Sequence, residues 1–398
     1  MLFSALKNFA DHWKAMQAFN SLPTDKRALV FYAESSADWP HLEPLLSRLL
    51  SDDPDLEINY LTSDSKDPVL EQARPLPDIN YWKRTRTFNI GDGTIRTLMF
   101  RDLRCKVCVL TLPDLETYQL KRSQHPVHYI YVYHSLVSTH RVYQEKAFDA
   151  YDTILTVGPH HLAEIRKTEQ AYRLKSKKIL EHGYGRLDSL FEKQRQSRES
   201  YLPSTGASKR LVLAPSWGQC SFVEHSTGEA LIEKLLSEHH RLSIRLHPMS
   251  VRHSPKLPER LEKRFADAAI TKRLRVITDM SEQQSLAEAD LMISDWSGAS
   301  FDFAFAMERP VLFVDTPPKI NNPAWEKIGI EPLEAAIRTE IGAVIRPGDW
   351  QALPEILTRL TANPAEIRTR IQEARNRWVY NLGKSSEMGA KAILEVLQ

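Results

Sequence analysis

Residues 274–316, LRVITDMSEQQSLAEADLMISDWSGASFDFAFAMERPVLFVDT, decide the fold that we predict for this chain. Two short apolar runs, at 291–294 and 310–314, contain β-branched residues, and a helical pattern lies between them. Short bounded runs of this kind are typical of buried parallel strands. The stretch therefore predicts a βαβ unit.

A polar turn at 295–300, DWSGAS, joins the first predicted strand to the helix. In an open parallel sheet such a turn borders the ligand crevice, and the following helix points unpaired N–H groups into it. Ser297 and Ser300 add hydroxyl donors and Gly298 allows close backbone approach, so we expect an anion such as phosphate there. The alternative is an ordinary capped helix, with a serine as N-cap and Asp302 in the first turn.

The composition indicates a globular protein. The chain has 398 residues, 42% of them hydrophobic, which suits about two or three domains with cores of their own. Charged residues make up 26%, and the formal net charge is only +2. This balance predicts no nucleic-acid partner.

Cysteine content and hydropathy predict a cytoplasmic protein. Three cysteines are too few for a disulfide framework, and we interpret Cys105 and Cys108 as ordinary strand residues. No apolar run approaches the ~20 residues that cross a bilayer. The first segment spaces Leu6, Phe9 and Trp13 along one helical face, so it either rests on the inner membrane surface or packs on its own protein.

Strand and helix patterns alternate along the chain, which predicts α/β layers. The first half has strand candidates at 28–33, 56–61, 97–100, 106–110, 128–133 and 153–157, with helices at 41–50 and 160–167. The second half has strand candidates at 211–214, 242–246, 274–277, 291–294, 311–314 and 343–345, with a helix at 228–239 and helical segments from 352 onward.

A polar stretch at 191–209 has no apolar period and contains Pro203 and Gly206, so we place an interdomain linker there. The predicted domains are Rossmann-like and cover residues 1–190 and 210–398. Two such domains leave a cleft between their sheet edges, so functional groups should lie on strand ends from both halves.

A histidine stands at the carboxyl end of a predicted core strand in each half: His134 ends HYIYVYH and His247 follows LSIRL. Imidazole moves protons near neutral pH, and as imidazolium it stabilises phosphate. Each histidine alone could equally be a structural residue. Strand alternation puts Arg245 on the same side as His247, and a guanidinium suits phosphate.

Five ordered motifs between residues 129 and 315 resemble the CDP-glycerol glycerophosphotransferases, enzymes that build teichoic-acid-like polymers and have a GT-B-type fold. The motifs are HSLVSTHRVYQEKAFDAYDTILTVGPHH from His134, HGYGRLDSL with Gly183, Arg186 and Asp188, APSWG with Ser216 and Trp217, RLHP with Arg245 and His247, and SDWSGASFDFAFAMERPVLF from Ser294.

The resemblance implies transfer of a polyol phosphate from a CDP-polyol, CDP-glycerol first, to a hydroxyl of a lipid-linked or glycan acceptor, with CMP leaving and no cofactor or metal. Residues 1–190 would be the acceptor side and 210–398 the nucleotide-donor side. His134 would be the base for the acceptor hydroxyl, and His247 would act on the phosphate or leaving group. The implied substrate-binding residues are Ser135, Gly183, Arg186, Ser216, Trp217, Arg245, Asp279, Asp295, Ser297, Gly298 and Ser300.

Three residues depart from the family's motifs. Ser135 stands where the family usually has glycine, Gly218 where arginine usually follows the tryptophan, and Gly298 where a second serine usually stands. The first change affects backbone approach at His134. The other two remove side-chain donors near the diphosphate.

Three other functions fit the same sequence. A nucleotide-sugar glycosyltransferase would use a histidine as its base, or a carboxylate such as Glu34 or Asp38. A sugar-nucleotide epimerase would turn over a nucleotide sugar without an acceptor. A non-catalytic nucleotide-binding protein would bind without turnover, and its histidines would be structural.

Overall fold

Two parallel β-sheets organise the chain. The computed structural model describes residues 2–72, 76–117, 120–197, 203–204, 206–218, 221–280 and 282–398, with the side chains of 2–5 and 196–197 left aside. Part of the predicted linker, 198–202 and 205, lies outside the described residues.

The first sheet has seven parallel strands in the order β3-β2-β1-β4-β5-β6-β7. Strand order reverses between β1 and β4, where Leu29 pairs with Ile58 on one side and Val107 on the other. Loops at the carboxyl ends of these strands therefore border a crevice. The strands are β1 Leu29–Ala33, β2 Ile58–Thr62, β3 Thr85–Asn89, β4 Val107–Leu110, β5 His128–Val132, β6 Thr153–Thr156 and β7 Lys178–Glu181.

The second sheet has six parallel strands in the order β10-β9-β8-β11-β12-β13. Its order reverses between β8 and β11, where Leu211 pairs with Leu291. The strands are β8 Arg210–Ala214, β9 Arg241–Arg245, β10 Leu274–Ile277, β11 Leu291–Ser294, β12 Val311–Val314 and β13 Gly342–Ile345.

The described α-helices cover both sheets. They are α1 Leu2–Asn20, α2 Trp39–Asp52, α3 Thr94–Arg101, α4 Pro159–Tyr172, α5 Gly185–Ser197, α6 Ser226–Ser237, α7 Pro248–His253, α8 Leu257–Arg264, α9 Ala266–Ile270, α10 Gln284–Glu288, α11 Ala299–Met307, α12 Leu333–Ala336, α13 Leu353–Ala362, α14 Pro364–Trp378 and α15 Ser385–Leu397.

The apolar core runs from one domain into the other. Alternate residues of β1 enter different clusters, with Phe31 on one face and Tyr32 on the other. The cluster that contains Tyr32 continues through Leu187 of α5 to Phe301 and Phe305 of α11, all buried. Burying a large apolar side chain contributes about 1.5–3 kcal/mol, so helices α5 and α11 fix the two sheets relative to each other.

Most predicted strands are confirmed, but the strand predicted at 97–100 is wrong. Those residues lie in α3, because Ile95, Met99 and Phe100 form a buried helical face. The sequence also missed β3 and β7, which lie at the two edges of the first sheet and carry polar or charged side chains. Edge strands have a weaker apolar signal than central ones.

The predicted domain limits differ from the observed packing at two places. Residues 191–197, assigned to the linker, continue helix α5. Helix α15, assigned to the second domain, packs on α2, and its Ala390 and Ile393 join the core of the first sheet. The carboxyl-terminal segment therefore crosses back to the first domain.

The first helix is partly packed and partly exposed. Met16 and Phe19 are buried, and Phe19 meets Phe88 edge to face with ring centroids 5.7 Å apart. Leu6, Phe9 and Trp13 are 60%, 49% and 42% exposed. Among the described helices, none combines the length and the apolarity that a membrane span requires.

Candidate active site

Two predicted loops from different domains touch in the cleft. One follows β5 and carries His134 and Ser135; the other follows β11 and carries Ser297 and Gly298. A Cβ built on Gly298 would lie only 2.5 Å from Ser135 Oγ. The structure therefore brings together predicted site residues that are far apart in sequence.

His134 is held in one tautomer by its neighbours. Its Nδ1 lies 3.1 Å from the Thr111 carbonyl oxygen, and because a carbonyl only accepts, the hydrogen belongs on Nδ1. The Tyr143 hydroxyl lies 3.4 Å from Nε2. Burial lowers the pKa of His134, and the Asp38 carboxylate offsets this only in part. A neutral imidazole with an unprotonated Nε2 is suited to act as a base.

His247 has the opposite tautomer. Its Nδ1 accepts the Met249 backbone N–H at 3.1 Å and caps helix α7, so its hydrogen belongs on Nε2. Burial, with a further contribution from Lys319, lowers the pKa of His247 to about 4. At neutral pH His247 is thus a neutral hydrogen-bond donor rather than the imidazolium that the sequence allowed.

The loop after β11 presents donors for an anion. Ser297 Oγ accepts the Ala299 N–H at 3.4 Å, and the buried Ser300 hydroxyl donates to the Ser297 carbonyl at 2.7 Å. Within the described residues, the backbone N–H groups of Ser297 and Gly298 have no hydrogen-bond acceptor. These groups stand at the amino end of α11, where a phosphate is favoured.

Arg186 joins the two domains beside these loops. Its Nε donates to Asp302 Oδ2 at 2.8 Å, from α5 to α11. Burial is the main cause of the lowered pKa of His41 in the first domain and of Arg245 in the second. The nearby charge of Arg186 lowers both pKa values further. Arg186 therefore lies between the two domains, with one guanidinium edge engaged by Asp302; as a phosphate contact it stays a prediction.

His41 is a site residue that sequence reasoning missed. Its ring stacks on Tyr184, with centroids 5.7 Å apart, and lies 6.1 Å from the His134 ring. Tyr184 in turn donates its hydroxyl to the His134 carbonyl at 2.9 Å. The available signal was its position just after β1, the strand at which the order of the first sheet reverses.

Asp295 links two loops of the second domain. Its carboxylate accepts the Ser216 N–H at 2.7 Å and the Phe222 N–H at 3.4 Å, which ties the loop after β8 to the end of β11. Burial raises the pKa of Asp295 to about 6. Each oxygen accepts a backbone N–H, so Asp295 positions the loop after β8; as a substrate contact it stays a prediction.

Trp217 and His247 form a second part of the site at the ends of β8 and β9. Lys319 Nζ lies 3.8 Å from the centre of the Trp217 ring. His253 stacks on the same tryptophan with centroids 5.8 Å apart, and His247 lies at 6.1 Å. This cluster combines a cationic group with aromatic rings, a pairing that is attractive in itself. Lys319 and His253 were not predicted.

Three predicted ligand residues have a different setting in the structure. The Arg245 guanidinium binds Glu282 at 2.8 Å and Ser285 at 3.0 Å, and Asp279 lies exposed in the same loop region. Gly183, with φ +101°, packs against the Tyr380 carbonyl, which a Cβ would approach to 2.5 Å. As substrate contacts these residues stay predictions.

A buried network fixes the two facing loops. Glu334 accepts the Ser138 N–H and hydroxyl at 2.8 and 2.7 Å and pairs with Arg141 at 2.9 Å. The Arg141 guanidinium lies 4.8 Å from the centre of the Trp296 ring, and Arg338 lies 4.3 Å from it. Because Ser138 and Arg141 follow His134 while Trp296 precedes Ser297, Glu334 and Arg141 couple the two halves of the site.

No metal centre is evident in the part of the chain that the structure describes. There, no group of three or more His, Cys, Asp or Glu side chains is arranged to hold an ion.

The arrangement of the two sheets defines the fold class of the protein. Two parallel-sheet Rossmann-like domains that face a cleft form a GT-B-type fold, as the sequence predicted. The chain is similar in fold to the wall teichoic acid polymerase TagF, with a TM-score of 0.60 and 13% identity, covering 100% of this chain and 97% of that chain. A histidine variant of TagF soaked with CDPG gives a TM-score of 0.58, with 12% identity and coverage of 100% and 98%. UDP-GlcNAc 2-epimerase from Neisseria meningitidis gives 0.54, with 12% identity and coverage of 93% and 99%.

The sequence comparisons match one family over part of the chain. Residues 131–316 match the model of the CDP-Glycerol:Poly(glycerophosphate) glycerophosphotransferase family. Over 175 residues the chain is 29% identical to the teichoic acid glycerol-phosphate primase of Bacillus spizizenii, and this match covers 42% of this chain and 41% of the relative. The resemblance to CDP-glycerol glycerophosphotransferases is therefore confirmed for the segment that carries both loops. The chain spans less than half the length of that curated relative.

Proposed function

We propose that this protein transfers a polyol phosphate, glycerol phosphate first, from a CDP-polyol to a hydroxyl of a teichoic-acid-type acceptor and releases CMP. The observation that carries the proposal is the pair of neutral histidines with opposite tautomers, His134 and His247. The family match over residues 131–316 supports the choice of donor. The likeness in fold to a TagF variant that was soaked with CDPG is consistent with the same choice.

The reaction that these groups support is a direct displacement at phosphorus. His134 Nε2 takes the proton of the acceptor hydroxyl, and the oxygen forms a bond to the polyol-bearing phosphorus. The bond from that phosphorus to the bridging oxygen breaks, and CMP leaves with the electron pair. The His247 Nε2–H and the N–H groups of Ser297 and Gly298 stabilise the phosphate charge.

The test is CMP release from purified protein. CDP-glycerol, CDP-ribitol and a panel of nucleotide sugars are compared, each with and without a membrane-lipid extract as acceptor source and with and without EDTA. We expect acceptor-stimulated CMP release from a CDP-polyol that EDTA leaves unchanged. In folded His134→Ala and His247→Ala variants the rate should fall at least ~100-fold, the usual size of an acid–base contribution.

Other outcomes would redirect the assignment. If only a nucleotide sugar were turned over, the CDP-polyol assignment would be wrong. The protein would then be a glycosyltransferase, or an epimerase if no acceptor were needed. Nucleotide binding without turnover of any donor would favour a binding protein. Loss of activity in EDTA would contradict the expectation that no metal is required.

We also propose that the protein works at a membrane surface through α1. Leu6, Phe9 and Trp13 form an exposed apolar stripe on this helix, next to Lys7 and Lys14, which suits an interface that carries a lipid-linked acceptor. Co-sedimentation with anionic phospholipid vesicles should fall in a variant with serine at all three stripe positions. Ile270→Ser, at an apolar residue 79% exposed on α9, is the matched control. Equal sedimentation of both variants would contradict membrane docking by α1.

A further inference from the structure

We propose that Ser135, on the acceptor-side loop, binds the donor phosphate by supplying a hydroxyl that residue 298 of the donor loop lacks. This inference rests on the proposed function, because it assigns a contact within the same reaction. It makes Ser135 a donor-binding residue that belongs to the opposite domain.

The first step is the distance between the two residues. Ser135 Oγ lies 2.5 Å from the position that a Cβ would occupy on Gly298, and Ser135 Cβ lies 3.7 Å from it. Real Cβ atoms are not found so close to another heavy atom, so a side chain at 298 would displace Ser135. The Ser135 hydroxyl thus occupies the space in which a serine at 298 would place its own side chain.

The second step is the hydrogen-bonding state of that hydroxyl. Ser135 Oγ accepts one long hydrogen bond, from the Val137 N–H at 3.4 Å. Within the described residues its own hydrogen has no hydrogen-bond acceptor. It lies against Gly298, and in the described part of the chain the N–H groups of Ser297 and Gly298 likewise have no acceptor. Three donors without acceptors at the amino end of a helix are suited to one phosphate group.

The third step is that the arrangement is held in place. Glu334 binds Ser138 and Arg141, and Arg141 contacts Trp296, which immediately precedes Ser297. The register of the two loops is therefore fixed by buried charge-assisted contacts rather than by Ser135 itself. A hydroxyl delivered from the other domain can then be as well placed as one carried by the donor loop.

Residues 135 and 298 therefore act together in this proposal. Residue 135 carries the hydroxyl at this place, and Gly298 is the residue that leaves room for it. The phosphate site is therefore complete only when the loop after β5 lies against the loop after β11. The affinity for the donor then depends on the position of the acceptor-side loop.

The experiment compares Ser135→Gly, Ser135→Ala, Gly298→Ser and the Ser135→Gly/Gly298→Ser double variant. Calorimetric binding of CDP-glycerol without acceptor is measured beside the KM and kcat of CMP release. We expect both Ser135 variants to bind donor about 10-fold more weakly, the size of one hydrogen bond to a charged group. Gly298→Ser alone should bind more weakly still because of the collision. The double variant should return to within about 3-fold of wild type, as expected for residues in contact.

Two results would overturn the inference: unchanged donor affinity in Ser135→Gly and Ser135→Ala, or a double variant no better than Gly298→Ser. Thermal melts verify that each variant is folded. Wild-type protein that binds CDP-glycerol but releases no CMP would refute the proposed function, while the binding series would still test Ser135. If wild type bound no nucleotide diphosphate, both would be wrong.

Discussion

At the scale of single residues, the tautomers of His134 and His247 follow from backbone partners that no motif displays. The sequence located both histidines through their place at strand ends. It could not show that Thr111, 23 positions before His134, offers a carbonyl to Nδ1, or that Met249 offers an N–H to His247. His41 was missed for the same reason, since only the fold brings it within 6.1 Å of His134.

The pH dependence of catalysis follows from the state of His134. Protonated imidazole cannot accept the hydroxyl proton, and burial holds the pKa of His134 below its ordinary value of 6.5. We therefore expect kcat/KM for CMP release to be flat through neutral pH and to fall only below pH 6.5. Asp38→Asn removes the charge that raises this pKa, so its falling limb should lie at lower pH. Glu34→Gln, which neutralises a carboxylate paired with Arg96, is the control and should leave the limb in place. Identical limbs in wild type and Asp38→Asn would contradict the assignment of His134 as base.

At the scale of elements, the sequence predicted the strands that are fully buried. Central strands such as β1 and β11 are fully buried, so their apolar runs are unambiguous. β3 and β7, at the edges, were not recognised, and α3 was partly taken for a strand because its buried face has only a few apolar residues. The contacts between elements, including the approach of Ser135 to Gly298, depend on the packing of α5 against α11 and have no local sequence signal.

Glu334 on α12 should prove essential to the register of the two loops. Glu334→Gln would leave the Arg141 guanidinium buried without its carboxylate, and breaking one side of a buried pair costs about 3–5 kcal/mol. We expect a loss of this order in the free energy of unfolding, measured in urea. We also expect kcat of CMP release to fall in the fraction that remains folded. Glu340→Gln, which breaks the more exposed pair with Arg377, should cost less than about 1 kcal/mol. Equal losses in both variants would mean that the Glu334 network contributes no more than a surface pair.

At the scale of the whole molecule, the chain crosses from the second domain back to the first, where α15 packs on α2. The Asp188 carboxylate of the HGYGRLD motif holds the start of α15, because it accepts the Gly383 and Ser385 N–H groups at 2.7 and 3.0 Å. Gly389 of α15 lies against His182, whose Cδ2 a Cβ would approach to 2.8 Å. This crossing could not be predicted from an amphipathic pattern, which shows that a helix has a buried face but not which sheet covers it.

The buried His182 should make the packing of α15 on the first domain sensitive to acid. Burial lowers the pKa of His182 to about 4 from an ordinary value of 6.5. The unfolded chain therefore binds a proton at higher pH than the folded one, so His182 contributes stability above pH 6.5 that is lost as pH falls toward 4. A difference of this size corresponds to roughly 3 kcal/mol. We expect the free energy of unfolding of wild type, relative to His182→Asn, to decrease by this order between about pH 7 and about pH 4 in urea titrations. His239→Asn is the control: His239 is exposed and has φ +65°, a conformation that asparagine tolerates. The free energy of unfolding of this variant should follow that of wild type at every pH. If the His182→Asn curve ran parallel to wild type, the acid sensitivity of the molecule would have to come from its other buried histidines, and α15 would stay packed on the first domain independently of pH.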